Sequence, residues 1–349
     1  MATAASVTLG VDTHKDLHVA VTLDQVGRRL GVATFPTDDA HHGHLWDWAS
    51  GFGPLTLAGV EGTGSFGYRL AQFLIGSGVT VFEVNRPNRV ARRRRGKSDP
   101  VDAEAAARAV LSGDATATPK RRTGPAGQLR ALLVARRSAI KARTQTEQQL
   151  RSLILELPDP QRAQVDRRRI ADLTAACVAL PGTDGTSVAL RALAGRWQHL
   201  EGEVADNDRH VQVIVRRVAP GLLARPGIGP ICAAQLLVTA GDNPDRLHSQ
   251  AAFAALCGVS PVEHSSGKTQ RHRLNRGGDR AANSALWTIA TNRLMHDPQT
   301  RAYAARRTAN GSSRKEIIRL LKRYIARQVF AEIRRALAPT GSRPQEPLT

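Results

Sequence analysis

Five cations run directly into two carboxylates in Arg92-Arg93-Arg94-Arg95-Gly96-Lys97-Ser98-Asp99-Pro100-Val101-Asp102. The apolar spacing predicts a helix over 102–110, and extending it back over Asp99 sets both aspartates on one helical face, three positions apart. Two like charges held that close call for a counter-cation. A divalent metal is the usual one, with oxygen ligands and positions left open for water and phosphate. The adjacent Arg92, Arg93, Arg94, Arg95 and Lys97 would grip the polyanion that carries the phosphate. Alone, two acids at this spacing also read as the start of a solvated helix.

Two further acids stand at element ends. A buried strand over 6–11 delivers Asp12, and a strand over 55–60 ends in Glu61. Between them, strands over 17–23 and 29–35 flank a turn at 24–27, so the first three strands form an antiparallel meander. Helices over 41–50 and 66–77 and a strand over 79–84 complete the order βββαβαβ followed by a helix. That is the order of an RNase H-like domain, in which the first and fourth strands present acids at one edge and a late helix brings the others across. Each acid alone could be a cap or loop carboxylate. Four together would hold one or two Mg²⁺ ions and polarise a phosphodiester.

Gly62-Thr63-Gly64-Ser65-Phe66-Gly67 is a formal GxGxxG between strand and helix, the outline of a dinucleotide site. It does not follow the first strand, however, and a meander precedes it in place of a βαβ unit. The glycines are better explained by close passage of backbone or nucleic acid beside Glu61.

Charge is distributed unevenly along the 349 residues. The net is +20, yet residues 1–90 hold six cations against eight acids, so everything after them carries the whole excess. An acid-leaning module joined to a strongly basic body suits a metal-dependent catalytic domain attached to one that grips nucleic acid. No lipidation motif, signal peptide or membrane-length apolar run is evident, so a membrane partner is not expected. Cys177, Cys232 and Cys257 lack CxxC spacing, which argues against a zinc site or disulfide framework and fits a reducing cytoplasm.

A Gly-, Pro- and Thr-rich linker spans 111–127. Long helices are expected over 128–157 and 187–218, joined by an insert containing Pro and Gly, which makes an antiparallel hairpin arm about 45 Å long. Pro226-Gly227-Ile228-Gly229-Pro230 then precedes an apolar helix, either as a tight turn or as a helix-hairpin-helix whose amides around Gly227 and Gly229 face a phosphate. A polar, basic loop follows, Glu263 to Arg280, with Lys268, Arg271, Arg273 and Arg276 as nucleic-acid contacts. It also sets the hydroxyls of Ser265 and Ser266 against Gly267, a setting that suits an exposed nucleophile near phosphate.

VDTHKD around Asp12, VEGTGSFG around Glu61, KSDPVDAEAAA around Asp99 and Asp102, RPGIGP, and SSGKTQRHRLNRGGDRAAN resemble, in this order, the insertion-sequence-110 family of DEDD transposases. The resemblance covers about residues 6–335. It implies an α/β plus α chain: a RuvC-like RNase H-fold domain (1–115), a linker and coiled-coil arm (116–220), a helical transposase domain with the serine motif (221–338), and a disordered tail (339–349). By motif position, Asp12, Glu61, Asp99 and Asp102 are then the metal tetrad and Ser266 the nucleophile, with Ser265 as its alternative. The implied activity is RNA-guided DNA recombination by a homo-oligomer, located in the bacterial cytoplasm with the nucleoid. The partners are donor and target DNA and a structured guide RNA. Two other readings are a RuvC-like structure-selective nuclease that cuts with metal-activated water, and a non-catalytic DNA-bridging protein.

Overall fold

The computed structural model describes residues 5–84, 98–263, 272–273, 275 and 277–338. The chain divides into two compact units, Met1–Arg121 and Arg122–Thr349.

The first unit is a mixed sheet between helices. Its strands are β1 (Val7–Thr13), β2 (Leu17–Leu23), β3 (Arg29–Pro36), β4 (Leu55–Glu61) and β5 (Thr80–Val84), in the order β3-β2-β1-β4-β5. β1 runs antiparallel to β2 and parallel to β4, β2 antiparallel to β3, and β4 parallel to β5. This arrangement is consistent with an RNase H-like domain. Alternation along the strands sorts the two faces. Leu9, Val11, Ala20, Ala58 and Val60 pack toward α1 (Asp39–Ser50) and α2 (Tyr68–Gly76) through Leu45, Leu70 and Leu74. The opposite face carries Val19, Val21 and Leu23 against Ala103 and Ala107 of α3 (Asp99–Leu111). Beyond α3 the chain returns to the sheet edge, where Ala117 bridges Glu83. The glycine motif follows the fourth strand of a sheet whose second strand is antiparallel, as the reading against a dinucleotide site expects.

The second unit is helical. α4 (Pro125–Ile154) and α7 (Gly185–Val218) are long partners. Arg136 pairs with Asp208 and Arg143 with Glu201, so a step of seven along one helix is a step of seven back along the other, and the pair is antiparallel. The expected simple insert between them instead holds α5 (Asp159–Val165) and α6 (Ile170–Val178). These bury Val165, Leu173 and Cys177 against Leu150, Leu190 and Trp197, giving that end of the helix pair its own core. The other end is continuous with a larger core: Leu129, Leu133, Val211 and Val215 join residues of the helices that follow. Those are α8 (Pro220–Leu223), α9 (Pro230–Ala240), α10 (Gln250–Leu256), α11 (Arg280–His296), α12 (Pro298–Ala309) and α13 (Arg314–Leu337), with a short hairpin of β6 (Val262–Glu263) and β7 (His272–Arg273). Among the described residues, no helix is long and apolar enough to cross a membrane.

Candidate metal centre

The acids are set by how closely α3 lies on the sheet. Gly10 of β1 and Gly59 of β4 are register partners on the face that α3 covers. A Cβ on Gly10 would lie 2.0 Å from the Ala103 carbonyl oxygen, and one on Gly59 would lie 2.5 Å from that of Ala106. Two adjacent strands thus present bare backbone, and α3 answers with Ala103, Ala106 and Ala107, so helix and sheet approach more closely than larger side chains would allow. Alternation puts Asp12 and Glu61, each two residues beyond its glycine, on the same face. α3 begins there: Asp99 opens it and Asp102, one turn on, is buried.

Three groups converge. Ligand atoms of Asp12, His14 and Asp99 all lie within 4.8 Å of one another. His14 Nε2 is 3.3 Å from Asp12 Oδ2 and 3.5 Å from Asp99 Oδ2, so the imidazole bridges strand and helix acids. Asp12 is buried, whereas His14 and Asp99 are exposed. Burial pushes the Asp12 carboxyl above its ordinary range. The charges of Asp99 and Asp102 push the same way, and His14 opposes them. Concentrated negative charge on a half-enclosed set of oxygen donors is the environment a divalent cation relieves, so these residues fit such an ion. Glu61 is half-buried at the adjacent strand end; it and Asp12 each follow directly on the last register pair of the two strands, Val11 and Val60. Its carbonyl accepts a 2.8 Å hydrogen bond from Thr13 Oγ1, which ties the two strand ends together. Gly67 passes close to the same carbonyl, since a Cβ there would come within 2.6 Å of it. The glycine motif therefore serves backbone packing at the end of β4.

Sequence reasoning missed His14, although it stands two residues after Asp12 in the same motif. It also missed Gly10 and Gly59, whose signal is a glycine two positions before an acid at each strand end.

The remaining site residues fall differently. Arg92, Arg93, Arg94, Arg95, Lys97, Ser265, Ser266, Lys268, Arg271 and Arg276 lie outside the described residues. The tail 339–349 does too. Arg273 is placed in β7 by its backbone alone. Gly227 takes φ +72° in the turn before α9, and Gly229 is the N-cap of that helix. The turn is pinned to α11, where Arg293 Nε donates to the Pro226 carbonyl at 2.8 Å.

Comparison with known proteins bears on two segments of the chain. A family model described as "Transposase", for the DEDD transposases of insertion sequence 110, matches residues 9–157, and one described as "Transposase IS116/IS110/IS902 family" matches residues 220–305. An uncharacterised 43.6 kDa protein of insertion element IS110 from Streptomyces coelicolor is 27% identical over 53% of this chain and 47% of its own length. A putative transposase from Sinorhizobium fredii is 30% identical over 58% of this chain and 52% of its own. A probable family 20 transposase from Pseudomonas aeruginosa is 39% identical over 26% of this chain and 27% of its own. The chain spans about half the length, or less, of the curated relatives it matches. With both models falling on the segments that carry its acids and its glycine turn, the chain belongs to the insertion-sequence-110 family of DEDD transposases.

Proposed function

We propose that this protein is the RNA-guided DNA transposase of an insertion sequence, cutting and rejoining strands through a phosphoserine intermediate. The observation that carries the reading is the convergence of Asp12, Asp99 and His14, with a buried Asp102 one turn along the helix from Asp99 and Glu61 at the neighbouring strand end. Asp12, Glu61, Asp99 and Asp102 would hold Mg²⁺. When bound, such an ion neutralises charge on a phosphodiester and on an oxygen leaving it. His14, set between Asp12 and Asp99, would orient both carboxylates.

The serine oxygen of Ser266, or of Ser265, attacks the phosphorus. A P–O bond to serine forms as the bond to the departing sugar oxygen breaks, and the serine proton leaves to solvent. The ester keeps the bond energy, so a strand hydroxyl can later displace serine without a nucleoside triphosphate. The excess positive charge beyond residue 90 supports a polyanion as partner, and we assign donor DNA, target DNA and a structured guide RNA to it. The coiled-coil arm, the helix-hairpin-helix at Gly227 and Gly229 and a homo-oligomeric assembly belong to the same proposal. Incubating the protein with element-end DNA and guide RNA tests it. Metal-dependent strand cleavage with a covalent protein–DNA adduct is expected; cleavage without an adduct would favour hydrolysis by water.

A further inference from the structure

Much of the positive charge of α13 stands in one row. At about 3.6 residues per turn, Arg319, Arg323, Arg327 and Arg334 fall within about 80° of arc and extend over about 22 Å of helix. Arg319, Arg327 and Arg334 are exposed, and Arg323 is half-buried. The acids of this helix are engaged elsewhere: Glu316 accepts from the Ser313 amide and hydroxyl at the cap, and Glu332 pairs with Arg225 and Arg335. Among the described residues, no carboxylate lies within 4.0 Å of any of the four guanidinium groups.

Their other contacts are neutral. Arg323 NH1 donates to Ser260 Oγ and Arg327 Nε to Gln250 Oε1, each at a long 3.4 Å, and the Arg334 guanidinium lies 5.9 Å over the Phe330 ring. A solvated helix face usually interleaves both signs, because like charges four residues apart repel. Here they are stacked without counter-charge, an arrangement that a polyanion relieves. The field is felt inside as well: burial, and then the Arg319 charge, lowers the Lys322 ammonium.

Two features narrow the partner. Ile317, Leu321, Ile325 and Val329 are buried in the core, so the helix has no free apolar face to lay in a membrane. The row also lacks an exposed aromatic: Phe330 is buried, and the exposed Tyr324 falls outside the arc. Single strands are gripped by stacking their bases on aromatic platforms, whereas a duplex offers its phosphates with the bases already stacked.

We propose that this row is a track for the phosphate backbone of a nucleic-acid duplex, its arginines meeting phosphates and reading no base. Arg323 touches Ser260, two residues before β6, so the track runs past the foot of that hairpin. It rests on the preceding reading only in taking nucleic acid as partner, and needs neither the acid cluster nor the serine.

The test is fluorescence-anisotropy titration of the full chain with random-sequence duplex DNA, duplex RNA and single-stranded DNA over a range of salt. The row variant combines Arg319→Gln, Arg327→Gln and Arg334→Gln. An equal-charge control combines Arg168→Gln, Arg169→Gln and Arg196→Gln, at exposed arginines of the helical arm. Thermal melts check folding, and Arg319→Gln with Arg327→Gln alone serves if the triple variant is unstable. The row variant should flatten the duplex slope of log K against log salt by about two to three, at roughly 0.9 per lost phosphate contact, and the control by less than about one. A larger effect with DNA or with RNA identifies which duplex lies on the track. An unchanged duplex slope, or equal flattening by row and control, overturns the track. A larger loss on the single strand than on the duplex overturns the duplex assignment. Lost binding to phosphatidylserine vesicles with duplex affinity kept assigns the row to a membrane and overturns it too. A wild-type chain that binds no nucleic acid overturns both this inference and the function proposed above; one that binds with a steep salt slope but ignores the row substitutions counts against the track alone.

Discussion

Gly10 and Gly59 lie side by side on β1 and β4, and the backbone of α3 rests on both. A methyl group at Gly10 would sit 2.0 Å from the Ala103 oxygen and 2.4 Å from the Ala107 nitrogen, contacts that only movement of the helix relieves. Because Asp99 and Asp102 ride on that helix while Asp12 and Glu61 stay on the sheet, any such movement separates the acids.

Gly10→Ala and Gly59→Ala should each destabilise the first unit by about 1–3 kcal/mol through overpacking. They should also lose divalent-ion binding beyond what the lost stability explains. Thermal melts with and without Mg²⁺ check this: the wild type gains stability with the ion and the glycine variants gain little. An equal metal-dependent shift in all three would show that the close approach is not what sets the site.

Alanine at Asp12, Glu61, Asp99 or Asp102 should abolish strand cleavage while leaving nucleic-acid affinity nearly intact, since each removes a carboxylate and not a phosphate contact. Ca²⁺ should support binding but not chemistry, because its looser coordination positions a phosphate less well. Gel-shift and cleavage assays on the same preparations separate the two effects.

The order of elements along the first unit and the four acids at or near element ends were legible because strand alternation and helix spacing are local signals. His14 was not, since a histidine next to an acid has no fixed geometry until β1 and α3 meet. The glycine pair was hidden for a similar reason: Gly10 and Gly59 are neighbours only through strand pairing across nearly fifty residues. The helices α5 and α6 escaped notice because Pro158, Pro181 and Gly182 punctuate that stretch, whereas the helices are held by burial of Val165, Leu173 and Cys177.

Acid should weaken the first unit through a buried histidine pair on the sheet face away from the acids. His18 and His42 are both buried and stack at 5.8 Å. Burial, then the charges of His42 and His14, hold His18 down to about 4, and burial lowers His42 as well. The fold keeps His18 neutral where the unfolded chain, titrating near 6.5, takes up a proton. Stability is therefore full above about pH 6.5 and falls as the pH drops toward 4, by up to about 3 kcal/mol for His18. Melting temperatures measured from pH 7.5 to 4.5 should fall in the wild type and fall less in His18→Leu.

If the tetrad and the serine come from different subunits of the proposed oligomer, mixing Asp102→Ala with Ser266→Ala before assembly should restore part of the cleavage that each lacks alone. One site in a mixed pair then has an intact tetrad and an intact serine. A mixture that stays inactive, although mass spectrometry shows mixed oligomers, places both within one chain.

The most direct measurement is denaturing electrophoresis of labelled element-end DNA after incubation with the protein and guide RNA. The wild type with Mg²⁺ should give a protein-linked band. EDTA and Asp102→Ala should both remove it, and Ser266→Ala should remove it while retaining metal-dependent stabilisation. A band that persists undiminished in EDTA, or in a variant lacking both Ser265 and Ser266, would contradict the account.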